Sequence, residues 1–220
     1  MNPAPNFNNL AGPYRWLEYL TFGPCLQRCR TWFLPETCRS GNALVLGDGD
    51  GRFTSRLLNS NPDIHVHAID LSPTMLAALR KSAGPNVHRV TTEVADLRYW
   101  QPSASARYSL IATHFFLDCL STEEITALAQ RLAPVLAPNT IWLVSDFATP
   151  ATIFGRVVAA PLVALLYRAF RILTGLHIDH LPDHENALEL VGWCLRESHS
   201  HLCGLLVSQL WRIDGGTVQE

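Results

Sequence analysis

Three glycines alternate with two aspartates in LVLGDGDGRF, Leu44 to Phe53, directly after a short aliphatic run. Glycine lets a backbone turn sharply and approach a ligand closely, and a turn of this kind after a strand is a common nucleotide cradle. The spacing Gly47, Gly49, Gly51 is G-x-G-x-G. Dinucleotide sites use G-x-G-x-x-G instead. Asp48 and Asp50 would repel a pyrophosphate and favour a ligand with positive charge. Asp70 ends IHVHAID, 23 residues after Gly47, where a carboxylate can accept hydrogen bonds from ribose hydroxyls. Placed before Leu-Ser-Pro, it could equally help cap a helix. Asp96 follows in EVADL, and by itself would be an ordinary loop aspartate. The tract THFFLDCL, Thr113 to Leu120, sets His114 and Asp118 in apolar surroundings where a substrate would meet a cofactor. His114 reads either as a general base or as a neutral histidine packed under the loop, with Asp118 the second candidate base.

Two further groups of residues invite a metal. LHIDHLPDH brings His177, His180 and His184 beside Asp179 and Asp183. Pro182 interrupts any helix that would align the imidazoles, so a solvated loop capping the next helix is the better reading. Cys25, Cys29 and Cys38 lack common zinc-finger spacing. The six cysteines, with no visible export signal, read as reduced thiols in a cytoplasmic protein.

The elements that would position these residues alternate from residue 42 onward. Aliphatic or β-branched runs at 42–46, 64–69, 87–92, 108–113 and 140–145 are separated by helical periodicity at 51–59, 73–82 and 122–136. Ser72-Pro73 and Ser121 with Glu124 mark helix starts. Strand and helix in alternation imply parallel pairing with right-handed crossovers and helices on both faces. Residues 93–107 read as irregular. A long apolar helix over 152–173, a short one after Pro182-Asp183, and two closing runs at 193–199 and 204–213 complete the pattern. The few residues between the last two runs predict an antiparallel hairpin. A further helix, Tyr14 to Phe33, precedes the sheet.

The 220 residues fit one domain, organised as an N-terminal cap (1–40), a core (42–146), a helical insertion (147–192) and a closing hairpin (193–214). A net charge of −2 lacks the footprint of a nucleic-acid binder. The apolar stretch 153–173 is broken by Arg156, Pro161, Arg168 and Arg171 and is too short to span a bilayer. It reads as a lid, a homodimer contact or a shallow membrane-facing patch on the inner membrane face.

Taken as an ordered set, the motifs at Gly47–Gly51, Asp70, Asp96 and Thr113–His114 resemble class I S-adenosylmethionine-dependent methyltransferases over residues 42–146. The opening FNNLAGPYRWLEYLTFGPCLQRCR is similar to that of ubiquinone and menaquinone C-methyltransferases. The resemblance implies a Rossmann-like, doubly wound α/β sheet of seven strands, mostly parallel with a C-terminal antiparallel hairpin. It implies S-adenosyl-L-methionine as cofactor. Gly47, Asp48, Gly49 and Gly51 would then line its amino-acid portion, Asp70 and Leu71 its ribose, Asp96 and Leu97 its adenine, and Thr113 and His114 the neighbourhood of the transferring methyl. An acidic residue frequent in the family two positions before the first glycine is Val45 here. The expected activity is methyl transfer to a small, hydrophobic acceptor at carbon or oxygen. A catalytically silent binding protein and a nicotinamide-dependent oxidoreductase are the alternatives.

Overall fold

The computed structural model describes residues 24–148 and 182–213. Seven strands form one sheet: β1 (Asn42–Leu46), β2 (His65–Asp70), β3 (Val90–Val94), β4 (Tyr108–His114), β5 (Leu136–Phe147), β6 (Trp193–His201) and β7 (Leu206–Ile213). The order across the sheet is β3-β2-β1-β4-β5-β7-β6. The first five strands pair in parallel, and β7 runs antiparallel to both β5 and β6. This is the Rossmann-like, doubly wound α/β sheet with a closing hairpin that the sequence implies.

Strand alternation divides the core between two helical layers. Ala43 and Val45 of β1 face α2 (Arg52–Ser60) and α3 (Pro73–Ala83), burying Phe53, Leu57, Leu76 and Leu79. Leu44 and Leu46 point the other way, toward α4 (Thr122–Leu132) and α5 (His184–Glu189), with Ile125, Leu128, Trp142 and Trp211. Truncating one such fully buried leucine to alanine costs roughly 2–5 kcal/mol. α1 (Pro24–Arg30) lies against β5 and β7. Its Cys29 carbonyl accepts hydrogen bonds from Ser145 Oγ (3.2 Å) and Ser208 Oγ (2.8 Å), and the Cys29 thiol donates to the Val207 carbonyl (3.3 Å).

Helix starts follow the expected signals. Ser72 Oγ accepts from Met75 N ahead of Pro73, and Ser121 and Glu124 form a reciprocal capping box. Boundaries shift where proline or glycine intervenes. α4 stops at Leu132, because Ala133-Pro134-Val135 tighten into a 3-10 turn. Gly84-Pro85 likewise open a 3-10 turn that delays β3 to Val90. β5 runs from Leu136, longer than the anticipated 140–145. α1 ends at Arg30, short of Phe33. Residues 14–23 of that expected helix, the insertion 152–173, and His177, Asp179 and His180 lie outside the described residues.

Candidate functional site

Strand order reverses between β1 and β4, and the carboxyl ends of parallel strands flanking such a reversal form a ligand crevice. The glycine turn leaves β1 here. Gly47, Gly49 and Gly51 all hold positive φ, at +67°, +58° and +80°. Each tolerates its neighbours differently. A β-carbon on Gly47 would lie 2.2 Å from the Phe116 ring, and one on Gly51 would lie 2.7 Å from the Leu79 backbone. One on Gly49 would meet nothing within 4 Å. Gly47 and Gly51 therefore serve packing, while Gly49 borders open space above the crevice.

The two loop aspartates have local partners. Asp48 accepts from the Phe53 and Thr54 backbone N–H groups, at 3.3 and 2.8 Å, and so caps α2, whose first residues follow Gly51. Burial nevertheless pushes its carboxyl above the ordinary range. Asp50 pairs with Arg52 at 3.2 Å. Their negative charge is thus partly met within the loop.

Asp70 closes β2 beside this turn. Its carboxylate accepts from Ser72 N at 2.8 Å. Burial pushes its pKa up to about 6, and the neighbouring Asp48 charge adds to the rise, against the lowering effect of the Ser72, Gly49 and Leu71 N–H groups. Leu71 is half-buried next to it. Asp96 lies in the turn after β3, held by Arg98 through Nε (3.0 and 3.1 Å), Nη2 (2.6 Å) and the backbone N–H (3.0 Å). The Arg98 guanidinium keeps its carboxyl below the usual range. Leu97 is buried against Leu46 and Ile69 in the core.

At the end of β4 the two expected residues face opposite layers. Thr113 is buried, its Oγ1 accepting from Trp142 Nε1 at 3.0 Å. His114 is 4% exposed, packs at 4.2 Å on the Phe53 ring, and has no hydrogen-bond partner at either ring nitrogen. Burial, reinforced by the Arg30 charge, drives its pKa down to about 3, so the imidazole is neutral and weakly basic.

Asp118 occupies a 3-10 turn, Leu117–Cys119, just beyond. Its backbone N–H donates to Asp146 Oδ2 at 3.3 Å, and both carboxyl groups are buried. Burial first, and the Asp118 charge second, raise Asp146 well above the usual range. The Cys119 thiol donates to Asp118 Oδ1 at 3.5 Å and is itself raised by burial and by Asp118, Asp146 and Asp70. Asp70, Asp118, Asp146 and Cys119 thus share one acidic corner of the crevice.

Asp146 is absent from the sequence reading, although an aspartate ending the apolar run TIWLVSD was visible there. Arg30 was missed as well. It leaves the end of α1 with its guanidinium carbon 4.9 Å above the Phe115 ring, and its charge is felt at Asp48 and His114. No local sequence signal links Arg30 to a turn near residue 48, because the two meet only through the fold.

The remaining candidates behave structurally. Asp183 Oδ1 accepts from Asn186 N and caps α5, and His184 Nε2 meets Gln209 Oε1 at 2.9 Å. Among the described residues no His, Cys, Asp or Glu cluster could hold a metal. All six cysteines are free thiols. Among the described residues no helix is long and apolar enough to cross a membrane.

Residues 43–139 match the family model of the methyltransferase domain. That stretch carries β1 through β4, the glycine turn and Asp70. A curated relative, the tRNA1(Val) (adenine(37)-N6)-methyltransferase of Klebsiella pneumoniae, is 33% identical over 82 residues, covering 35% of this chain and 34% of its own. An O-methyltransferase family protein from Burkholderia thailandensis superposes with a TM-score of 0.71 at 17% identity, over 94% of this chain and 60% of its own. A TehB-like S-adenosylmethionine-dependent methyltransferase from Corynebacterium glutamicum superposes with a TM-score of 0.62 at 15% identity, over 94% of this chain and 97% of its own. The chain therefore spans about a third of the curated relative and about 60% of the Burkholderia protein.

Proposed function

We propose that the protein is an enzyme that transfers a methyl group from S-adenosyl-L-methionine to a small, hydrophobic acceptor. The observation that carries this reading is the open side of Gly49 facing Asp70 at the strand-order reversal, inside the residues that match a methyltransferase domain. The groups present suit the cofactor. Asp70 offers carboxylate lone pairs to ribose hydroxyls. Asp48, Asp50 and Asp70 supply negative charge for a ligand bearing a sulfonium and an ammonium. Asp96 takes the adenine amino group once the Arg98 side chain turns outward, with Leu97 beneath. Thr113 and His114 form the floor of the site.

In the reaction a lone pair on the acceptor bonds to the methyl carbon while the sulfur–methyl electrons return to sulfur. The positive charge disappears, and alignment in a dry pocket supplies most of what the protein contributes. An oxygen or carbon acceptor also releases a proton. Asp118, with Asp146 beside it, is better placed to take it than His114, whose ring is too weakly basic. The structural relatives include O-methyltransferases, which favours an oxygen acceptor. The similarity of the N-terminal segment to quinone C-methyltransferases favours carbon. Both are apolar-ring chemistries, and a net charge of −2 favours either over tRNA. The insertion 152–173 would cover such an acceptor or rest on a membrane surface.

Isothermal calorimetry separates the enzyme from its alternatives. Micromolar binding of S-adenosylhomocysteine with no response to NADH is expected. Binding of NADH alone would overturn the methyltransferase reading in favour of an oxidoreductase. Transfer of label from methyl-labelled cofactor into an organic-extractable product of a cell extract is expected, and its absence alongside tight cofactor binding would favour a silent binding protein.

A further inference from the structure

We propose that Arg30, delivered by α1, receives the carboxylate at the amino-acid end of the cofactor. The inference rests on the methyltransferase reading and adds to it a residue outside the matched domain, which begins at residue 43.

Three observations place a cation there. α1 is fixed rather than loosely apposed: Leu26 and Cys29 are buried against Leu205 and Leu206, and the Cys29 carbonyl is held by two serine hydroxyls from β5 and β7. Arg30 is the next residue, so its reach is set by that anchor. Its guanidinium lies over Phe115, which leaves β4 at φ +55° and donates its N–H to the Ser145 carbonyl at 2.6 Å. A left-handed phenylalanine is uncommon and holds its ring where an ordinary strand exit would not. Finally, the Arg30 charge acts on both Asp48 in the glycine turn and His114 at the strand end. Those two residues flank the space into which Gly49 opens.

Charge complementarity then fixes the orientation of the ligand. The amino-acid end of the cofactor carries an ammonium and a carboxylate on one carbon. The wall formed by Asp48 and Asp70 would repel the carboxylate and attract the ammonium. Arg52 is paired with Asp50. Arg30, on the opposite side, offers a planar fork of donors that matches a carboxylate in a bidentate arrangement. Without it the carboxylate would enter a crevice lined by aspartates alone.

The test compares two ligands on the full chain. S-adenosylhomocysteine carries the carboxylate, whereas 5′-methylthioadenosine keeps the nucleoside and thioether but lacks the amino acid. By calorimetry, Arg30→Gln is expected to weaken S-adenosylhomocysteine roughly 10- to 100-fold while changing methylthioadenosine less than about twofold. Arg30→Lys is expected to recover part of the loss, since charge returns without the fork. Equal weakening of both ligands would make Arg30 a brace for α1 and overturn the proposal, as would unchanged affinity for both. Failure of the unsubstituted protein to bind S-adenosylhomocysteine would instead remove the methyltransferase reading, and this proposal with it. Should Arg30→Gln not fold, Arg30→Lys carries the same comparison, and an unchanged ratio of the two affinities would overturn the proposal.

Discussion

A carboxylate at the end of a strand can serve the fold, the ligand or both, and the crevice aspartates divide along that line. Asp48 and Asp146 are tied to backbone N–H groups of following turns. Asp96 is closed by Arg98. Asp70 is the least committed, and its environment predicts a pH signature. Burial holds its carboxyl at about 6 in the free protein. A folded carboxyl raised above its unfolded value costs stability once ionised, so the free protein loses stability as pH rises from about 4 toward 6. Ligand binding has the opposite sign, because ribose hydroxyls donate best to the ionised form. S-adenosylhomocysteine affinity is therefore expected to fall about tenfold per pH unit below about 6. In Asp70→Asn, affinity should be lower throughout and flat across that range. A wild-type affinity that stays constant between pH 5 and 7 would show that Asp70 does not meet the ligand as a carboxylate.

Elements that carry their own local signals were legible in the chain. Ser121 and Glu124 announced the start of α4, and the structure shows both halves of the box, at 3.2 and 2.9 Å. Ser121→Ala is expected to cost about 1 kcal/mol in urea unfolding and to leave S-adenosylhomocysteine affinity unchanged, since α4 packs on the core below the crevice. A drop in affinity without loss of stability would contradict that separation. The ends of elements were less legible. The 122–136 periodicity continues past Leu132, but Pro134 cannot donate to the helix, so the backbone tightens and begins β5 instead. Side-chain use inside the site was least legible. THFFLDCL marks a strand end, but nothing local reveals that Thr113 turns toward Trp142, that His114 lies under Phe53, or that Asp118 meets Asp146. Those partners are 28 to 61 residues away in sequence and adjacent only across the sheet.

Across the whole molecule, β1 and β4 sit between strands on both sides, and Ala43–Leu46 and Leu110–Ala112 are fully buried. Their amides are expected to exchange with deuterium only through global opening, while the outer strands β3 and β6 exchange sooner. Faster exchange in β1 than in β6 would mean that the sheet does not unfold as one unit. The placement of β7 has a different consequence. It lies between β5 and β6, although it is the last of the described strands to be synthesised. β6 has no strand to pair with until residues 206–213 have emerged from the ribosome, and until then the backbone of β5 presents an unsatisfied edge. Nascent chains stalled before that point would expose a flat apolar border to one another. The last strand to be made is the one that seals the sheet.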